Sequence, residues 1–194
     1  MEAEKPRCQW CLGFDDYVKY HDTEWGVPAY SDEVHFEFLV LESAQAGLSW
    51  ATILKKREGY RKAFANFHYR VVAEFPESHV QELMQDAGII RNALKIKAAI
   101  NNAERFMEVQ LEFGSFSNYI WGFVGGKPLQ NHYQSTSEVP ATTEVSDRLA
   151  KDLKKRGFKF LGSTTIYAHM QATGLVNDHM PHCFRYKEVQ QMVR

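Results

Sequence analysis

Apolar residues recur at intervals of three or four positions through most of the chain, whereas few stretches alternate with a period of two. The first spacing puts side chains on one face of an α-helix, and the second is typical of a half-buried strand. Residues that cap helices and glycines that end them separate the apolar stretches. The pattern therefore predicts an all-α fold, without an internal repeat or a clear linker.

Helices are predicted from Ser31 or Asp32 to Gly47, over about 49–67, over 78–86, over about 93–113, over 115–124 before Gly125 and Gly126, from a cap at Ser146 to Gly157, and from a cap at Ser163 to Gly174. Residues 8–28 combine aromatic side chains with glycine and proline, and we expect them to be irregular. The polar residues 127–145 predict a connecting loop. No structure is predicted for the polar tail after Arg185.

The helix that ends at Gly47 carries an acidic residue on its apolar face. Phe38 and Leu41 lie on the stripe expected to face the core, and Glu42 lies on the same stripe. Burying a carboxylate there costs several kcal/mol unless a partner compensates for the lost hydration. Together with Trp50, just beyond the glycine turn, Glu42 would line a small pocket. A structural Glu packed beside a core Trp would give the same pattern.

The net charge of −1 conceals an uneven distribution. Residues 1–50 carry three Lys/Arg and ten Asp/Glu, whereas the remaining residues carry 20 and 14. The cations of the second part cluster at 55–57, 91–97 and 151–159. Separate basic clusters suit a polyanion that is held at several points, although solvated helix faces produce similar runs.

Other features of the chain restrict its location. No apolar run approaches the roughly 20 residues that span a bilayer, so we expect no membrane association. The first residues lack the basic-then-apolar order of a signal peptide, which predicts a cytoplasmic protein. In a reducing compartment, the three cysteines favour metal binding or burial over a disulfide.

Residues 83–97 have the pattern of two helices joined by a tight turn at Gly88. Backbone N–H groups at the start of the second helix would be unpaired, and Arg91 and Lys95 add positive charge beside them. These groups would bind one DNA phosphate, as in a helix-hairpin-helix motif. A plain helical hairpin would look much the same.

A second candidate site involves both ends of the chain. His179 and Cys183 have the spacing that brings two ligands together on one helical turn. Cys8, Cys11 and His21 supply candidate partners near the other end. Two such pairs would form a tetrahedral nitrogen–sulfur site, which suits zinc and would fasten both ends to the fold. Packed cysteines and histidines without a metal are an alternative explanation.

Five segments resemble bacterial 3-methyladenine DNA glycosylase I, in order and at the spacing of that family across roughly residues 7–183. They are Tyr20-His-Asp-Thr-Glu-Trp-Gly-Val-Pro28, Leu41-Glu-Ser-Ala-Gln-Ala-Gly-Leu-Ser-Trp50, Asp86-Ala-Gly-Ile-Ile-Arg91, Lys155-Arg-Gly-Phe-Lys-Phe160 and Gly174-Leu-Val-Asn-Asp-His179. The resemblance implies the all-α helix-hairpin-helix glycosylase fold in one unit. Its hairpin lobe would span about 50–145, its zinc-containing lobe about 1–49 with 146–185, and 186–194 would be a tail.

The resemblance also implies roles for individual residues. Glu42 would be the acid of a base pocket, both binding the base and assisting catalysis. The implied aromatic neighbours of Glu42 are Trp10, Tyr17, Tyr20 and Trp50. The implied DNA contacts are Gly47 and Leu48, which would be pushed into the duplex, and Gly88, Arg91 and Lys95 on the hairpin. The implied ligands of one structural zinc ion are Cys8, His21, His179 and Cys183. Two departures are Cys11, an additional thiol, and Ala93, where the family often has Arg.

The implied activity is hydrolysis of the N-glycosidic bond of 3-methyladenine, flipped out of alkylated double-stranded DNA, by a monomeric and monofunctional bacterial enzyme. N3-methylated adenine is a cation, which aromatic faces and a carboxylate attract. Because its base leaves as a neutral molecule, the reaction needs less catalytic assistance. The absence of any candidate catalytic Asp between Asp86 and Asp147 agrees with this. Two other classes are a zinc-containing DNA-binding module without catalysis and a bifunctional glycosylase-lyase that uses Lys95 or Lys97 as a Schiff-base nucleophile.

Overall fold

The computed structural model describes residues 5–192, which form ten α-helices and one short parallel pair of strands. The helices are α1 Asp15–Thr23, α2 Asp32–Gln45, α3 Trp50–Ala63, α4 Tyr69–Ala73, α5 Glu77–Leu83, α6 Ala93–Phe113, α7 Phe116–Gly122, α8 Glu144–Lys155, α9 Ser163–Ala172 and α10 Phe184–Gln190. The strands are β1 Leu129–Gln130 and β2 Val176–Asn177. The predicted all-α class is confirmed, since each strand has only two residues.

The helix that carries Glu42, α2, lies at the centre of the fold. It packs against α3, α6, α7 and α9. Residues 35–44 are all buried, including the polar side chains of His35, Glu37 and Ser43. Phe38 and Leu41 of the predicted stripe are buried as expected, but burial extends to the other faces of α2, because neighbouring helices cover them as well.

Both ends of α2 follow the sequence prediction. The Ser31 hydroxyl accepts a hydrogen bond from the third N–H of the helix at 3.4 Å, and Gly47 has a φ of 81°. Asp32, the alternative cap, is the first helical residue. Its carboxylate accepts hydrogen bonds from the N–H groups of Phe116 and Ser117 at the start of α7. One carboxylate therefore fixes the start of α2 against the start of α7.

Two other predicted caps were misplaced. Thr143 caps α8, and its hydroxyl accepts from the Ser146 N–H while Ser146 Oγ accepts from the Thr143 N–H at 2.8 Å. Ser146 is thus the third helical residue of a capping box. Gly162 precedes α9, so Ser163 is its first helical residue and directs its hydroxyl to Asp147.

The predicted helix over 49–67 ends early, at Ala63. Ala65, Asn66 and Phe67 have φ values of 49°, 54° and 58°, and three successive left-handed residues cannot continue a right-handed helix. Phe67 is buried at this bend, which explains how tertiary packing holds the strained backbone. The helix over 93–113 is confirmed without change as α6.

Several segments are more regular than predicted. The region 8–28, expected to be irregular, contains a 3-10 turn at Gln9–Cys11 and all of α1. The loop 127–145 contains β1, and most of the tail after Arg185 belongs to α10. None of the helices within residues 5–192 has the length and apolarity needed to cross a bilayer.

The strand pair connects the long loop to the last part of the chain. Leu129 pairs with Val176, and Gln130 pairs with Asn177. The Asn177 side chain also donates to the carbonyl oxygen of Tyr186 in α10 at 3.1 Å. These contacts fix the backbone immediately before Asp178 and His179.

Candidate functional site

A cavity of about 330 Å³ lies between the 3-10 turn at Gln9–Cys11 and the helices α1, α2, α3 and α9. All five residues that the sequence assigns to a pocket line it: Trp10, Tyr17, Tyr20, Glu42 and Trp50. The cavity is also lined by residues that the prediction omitted, namely Trp25, Gln45, Thr136, Val139, Ala168, Gln171, Asp178 and Met180. Its size suits a small planar ligand.

Aromatic rings contact one another around this cavity. The Trp10 ring lies 5.1 Å from that of Tyr17 and 4.9 Å from that of Trp25, measured between ring centroids. The Tyr20 and Trp50 rings lie 5.6 Å apart. Such contacts hold the rings in fixed positions, and aromatic faces attract a planar cation more than a neutral molecule.

Three polar atoms of the cavity residues are buried without a hydrogen-bond partner among the described residues. They are Glu42 Oε2, Tyr20 Oη and Trp50 Nε1. An unpaired buried donor or acceptor costs about 1–3 kcal/mol, so its presence in a native structure requires an explanation. Because the three come from α1, α2 and the start of α3 and line one cavity, we interpret them as groups that a ligand satisfies.

Burial governs the ionisation of the cavity acid. Glu42 is 4% exposed, and burial raises its pKa to about 8. Burial, followed by the nearby Glu42, raises the pKa of Tyr20 well above its usual value, so this residue remains a phenol that can donate. A cationic ligand would favour the ionised Glu42 carboxylate, whereas a neutral ligand would meet a largely protonated one.

Ion pairs fix the helices that hold these groups. Arg57 on α3 donates from Nε to Glu37 on α2 at 2.8 Å, and its Nη1 lies 2.7 Å from Glu24, just beyond α1. Arg61 adds a second 2.8 Å contact to Glu37. Sequence analysis missed this cluster, since the partners of its ion pairs are 20 to 33 residues apart along the chain.

The four predicted zinc ligands lie together and are all buried. Cys8, His21, His179 and Cys183 each offer a ligand atom within 4.8 Å of the others. Cys183 Sγ lies 3.4 Å from His21 Nε2 and 3.7 Å from His179 Nδ1, and Cys8 Sγ lies 3.7 Å from His179 Nδ1. Tetrahedral zinc with usual Zn–S and Zn–N bonds places such donors about 3.5 Å apart. The donor set therefore fits this metal.

Surrounding groups orient the four side chains. His21 Nδ1 lies 2.8 Å from Asp22 Oδ1, and His179 Nε2 lies 2.9 Å from the Trp25 carbonyl oxygen. These contacts leave His21 Nε2 and His179 Nδ1 as the nitrogens that face the cluster, which is the usual arrangement at a metal site. A hydrogen bond between the two thiols lowers the pKa of Cys183 and raises the pKa of Cys8, so Cys183 is the sulfur that ionises first in the metal-free cluster.

Two details of the metal prediction change. His179 and Cys183 do not lie on a helical turn, because a turn closed by the bond from Cys183 N to Met180 O brings them together. Cys11, the additional thiol, donates to the Cys8 carbonyl oxygen at 3.1 Å and is not one of the four clustered groups. Gly26 allows the close approach of the chain, since a Cβ there would lie 2.9 Å from His179 Nε2.

The predicted hairpin consists of α5, the loop 84–92 and the start of α6. Gly59 of α3 is required by packing against this loop, because a Cβ there would lie 2.2 Å from the Gly88 carbonyl oxygen. The Gly88 N–H is already bonded to Asp86 Oδ1 at 2.7 Å, and the Ile90 N–H to Tyr60 Oη at 3.2 Å. At the start of α6, where free N–H groups were predicted, the Lys95 N–H is bonded to Asn92 Oδ1 at 3.1 Å, so one of these groups already has a partner.

The hairpin cations have different surroundings. Arg91 is exposed. Lys95 Nζ donates to the carbonyl oxygens of Ala44 and Ala46 at the end of α2, and Lys97 pairs with Glu77 at 2.8 Å. The phosphate contact predicted for Lys95 stays a prediction, since its ammonium group has other partners here.

The turn between α2 and α3 presents an apolar side chain to solvent. Leu48 is 41% exposed and follows Gly47. A groove beside this turn is lined by residues from α2 and by Thr164, Thr165 and Ala168 of α9. Glu42, Gln45 and Ala168 line both this groove and the cavity, so the two adjoin.

Gln171 and Asp178 are the main cavity residues that sequence analysis missed. Asp178 is 2% exposed and accepts hydrogen bonds from Tyr167 and Gln171. A signal was present, because a carboxylate directly before the candidate ligand His179 would be buried with it. That pattern alone does not place Asp178 at the cavity. Its position there becomes visible only in the folded chain, where α9 also lines the cavity.

Comparisons with known proteins agree on one family. The family model described as methyladenine glycosylase matches residues 10–186. DNA-3-methyladenine glycosylase 1 of Escherichia coli K12 is 47% identical over 180 residues, covering 93% of this chain and 96% of that protein. A crystal structure of 3-methyladenine DNA glycosylase I aligns with a TM-score of 0.90 at 47% identity, covering 92% of this chain and 98% of its own.

A third comparison concerns base recognition. A structure of 3-methyladenine DNA glycosylase I from Staphylococcus aureus aligns with a TM-score of 0.89 at 37% identity. That structure concerns the structural basis of 3-methyladenine recognition. The alignment covers 92% of this chain and 95% of that one. The similarity to these proteins, in sequence and in backbone structure, therefore extends over nearly the whole length of the chain.

Proposed function

The chain belongs to the methyladenine glycosylase family, whose members hydrolyse N-glycosyl bonds, and from this premise we propose that it repairs alkylated double-stranded DNA in the bacterial cytoplasm. It flips N3-methyladenine out of the duplex, cleaves the bond between base and sugar, and leaves an abasic site. The extruded base enters the cavity that contains Glu42.

One observation supports this proposal above the others. Glu42 Oε2, Tyr20 Oη and Trp50 Nε1 have no hydrogen-bond partner within residues 5–192 and are buried beside a cavity with aromatic walls. A base placed there would satisfy these atoms through its edge and would contact the rings through its faces. The carboxyl group would select a cationic adduct over a normal base, because pairing with a cation repays its loss of hydration.

The charge of the substrate also explains how the bond can be cleaved with few catalytic residues. N3-methylation puts a positive charge on the purine, and the base leaves as a neutral molecule when its bond to the sugar breaks. With a base in the cavity, the ionised Glu42 would attract the cationic adduct on binding and would stabilise the positive charge that develops on the sugar as the bond breaks. Water then attacks the sugar, and its proton passes to solvent.

The surface next to the cavity suits duplex DNA. Gly47 and Leu48 form the turn between α2 and α3, beside a groove that adjoins the cavity. Leu48 would fill the space that the extruded base leaves in the stack. Arg91 and the start of α6, near Gly88, would contact a phosphate and fix the register of the duplex.

The lysines argue for a monofunctional enzyme. A glycosylase-lyase needs a free amine at the sugar, whereas Lys95 is bonded to two carbonyl oxygens and Lys97 pairs with Glu77. Borohydride should therefore fail to trap the protein on DNA that contains an abasic site. Covalent trapping that Lys95→Met or Lys97→Met abolishes would replace this proposal with the lyase.

We infer that Cys8, His21, His179 and Cys183 hold one structural zinc ion. Four protein ligands complete a tetrahedral site and leave no position for an activated water. When bound, zinc would supply a cross-link and no catalytic step. The site adjoins the cavity, because the Trp25 ring lies 4.6 Å from that of His179 and the Trp10 ring 5.3 Å from that of His21.

Chromatography of bases released from methylated DNA tests the activity. We expect free 3-methyladenine, with 7-methylguanine left in the DNA, since a small aromatic cavity around Glu42 suits labile cationic adenine adducts. Duplex binding without any base release would support the alternative of a zinc-containing DNA-binding module. Comparable release of 7-methylguanine or of neutral hypoxanthine would contradict selection by charge and shape.

A further inference from the structure

Asp178 receives three hydrogen bonds from neutral donors. Tyr167 Oη and Gln171 Nε2 donate to its Oδ2 at 2.6 Å and 2.8 Å, and Asn131 Nδ2 donates to its Oδ1 at 2.7 Å. Both carboxyl oxygens of Asp178 thus act as acceptors, toward donors from three different side chains. Asp178 therefore fixes the direction of every polar group that touches it.

Gln171 is fixed in one orientation by this arrangement. Its amide nitrogen must face Asp178, because an amide oxygen in that position would meet a carboxylate oxygen. The amide oxygen Oε1 is therefore directed away from Asp178, and no group within residues 5–192 donates to it. Since Gln171 lines the same cavity as Glu42, this oxygen is a neutral acceptor available to a ligand.

We propose that Gln171, held by Asp178, accepts a hydrogen bond from the exocyclic amino group of the base and thereby selects adenine adducts over guanine adducts. The inference deepens the proposed function and rests on it. An adenine carries an amino donor at C6, where guanine carries a carbonyl oxygen. Opposite a fixed acceptor, that oxygen is repelled, and the amide cannot turn over without losing its bond to Asp178.

In this arrangement Glu42 and Gln171 recognise different properties of the base. The Glu42 carboxylate responds to positive charge, which every N3-methylated purine carries. Gln171 responds to the substituent at C6, which charge alone does not distinguish. Asp178 acts as a positioning residue, because it touches Gln171 and determines which end of the amide the base meets.

The test measures the ratio of 3-methyladenine to 3-methylguanine released from one sample of methylated DNA. Gln171→Met keeps the length of the side chain and removes the acceptor, so this ratio of kcat/KM values should fall about tenfold, as expected for one hydrogen bond. Asp178→Asn can donate as well as accept, which lets the amide turn over. Asp178→Asn should also lower this ratio, but it should reduce the release of 3-methyladenine less than Gln171→Met does.

Asn131→Ala is the matched control, because it removes a bond to the same carboxylate from a residue that does not line the cavity. Its ratio should equal that of the unmodified protein. Binding of the two free bases, measured by calorimetry, should change in the same direction as the ratios. Metal content and melting temperature show whether Asp178→Asn disturbs the neighbouring His179.

The outcomes separate two failures. If the unmodified protein releases no 3-methyladenine, the proposed function is wrong. If it does so and Gln171→Met keeps the original ratio in release and in binding, only the role of Gln171 is wrong. If Asn131→Ala lowers the ratio as much as Asp178→Asn, the cluster acts through general stability and Asp178 does not position the amide.

Discussion

Lys95 Nζ lies 2.7 Å from the carbonyl oxygen of Ala46, and it also donates to the Ala44 carbonyl oxygen at 2.8 Å. Its ammonium group thus binds the end of α2, where carbonyl oxygens lack helical partners and the helix dipole favours a cation. The next residues are Gly47 and Leu48. The first turn of α6 is therefore attached to the turn that adjoins the cavity.

We predict that Lys95→Met weakens cleavage of methylated DNA by loosening this turn, and not by removing a phosphate contact. Loss of a phosphate contact lowers the slope of log K against log salt by about one, whereas loss of a structural bond leaves that slope unchanged. Duplex affinity measured over a range of salt concentrations distinguishes the two. Affinity for free 3-methyladenine should be nearly unchanged.

Arg91→Met is the control for the Lys95 variant. Arg91 is an exposed cation on the same hairpin, and its replacement should lower the salt slope by about one. Equal reductions in both variants would show that Lys95 leaves the carbonyl oxygens of α2 and contacts DNA.

Glu42→Gln should weaken binding of a purine cation by about 1–3 kcal/mol, the size of a hydrogen bond to a charged group. Since burial raises the pKa of Glu42 to about 8, the unmodified protein must lose a proton to pair with the cation. Its affinity for 3,9-dimethyladeninium should therefore rise between pH 6 and pH 8, while that of the variant stays constant. Calorimetry over this range measures both. Equal affinities would make Glu42 structural.

The same substitution should stabilise the free protein. The folded pKa of Glu42 lies above its unfolded value of 4.5, so the folded state binds the extra proton and loses stability as the pH rises from 4.5 to about 8. Glu42→Gln removes this loss. Its gain in unfolding free energy should grow over that range to a few kcal/mol, measured by urea denaturation, and be small at pH 4.

Sequence patterns located Glu42, because an acid among apolar residues at helical spacing stands out within a single helix. They could not show that α2 is covered on all sides, since the helices that cover it come from distant parts of the chain. Asp178 and Gln171 illustrate the same limit. Each looks like an ordinary polar residue until α9 and the strand pair bring them to one cavity.

Local structure failed to follow local sequence where tertiary contacts dominate. Ala65 and Asn66 carry no signal for left-handed backbone as strong as glycine would give, yet burial of Phe67 holds them there. The aromatic side chains of α1 suggested irregular structure, whereas Tyr20 and His21 are buried in a helix. Periodicity therefore predicted the long helices well and the short ones poorly.

His35 and His169 form a buried pair between α2 and α9. His35 Nε2 lies 3.0 Å from the Ala29 carbonyl oxygen and must donate to it, so His35 Nδ1 accepts from His169 Nε2 at 3.2 Å. His169 Nδ1 is buried without a partner among the described residues. Burial lowers the pKa of His35 to about 4 and that of His169 well below its usual value.

We predict that this pair makes the protein sensitive to acid. Both folded pKa values lie below the unfolded value of 6.5, so the unfolded state gains protons first and stability falls as the pH drops below about 6.5. Each histidine contributes up to about 1.4 kcal/mol per pH unit. Replacing both by Leu should reduce the pH dependence of urea denaturation between pH 5 and 6.5, and Trp121 would still donate to Ala29.

The exposed His68 provides the control for that measurement, because its replacement removes a histidine that is not part of the pair. His68→Leu should leave the slope nearly unchanged. If the double variant keeps the full slope, other groups cause the acid sensitivity.

The proposed zinc site closes most of the chain into loops. His21 and Cys183 are 162 residues apart, and Cys8 and His179 are 171 residues apart. A cross-link over such distances reduces the entropy of the unfolded chain, by analogy with a disulfide, and contributes several kcal/mol to stability. Removal of the metal with a chelator should therefore lower the melting temperature.

We predict one zinc ion per chain, measured by elemental analysis, and its loss in Cys183→Ser. Cys11→Ser is the matched control, since the Cys11 thiol donates to a backbone carbonyl oxygen and lies outside the cluster. It should keep the metal. Because Trp10 and Trp25 contact the ligand histidines, loss of zinc should also weaken 3-methyladenine binding by displacing the cavity wall. The ligand assignment is wrong if Cys11→Ser loses the metal and Cys183→Ser keeps it. The structural role is wrong if the zinc-free protein has an unchanged melting temperature.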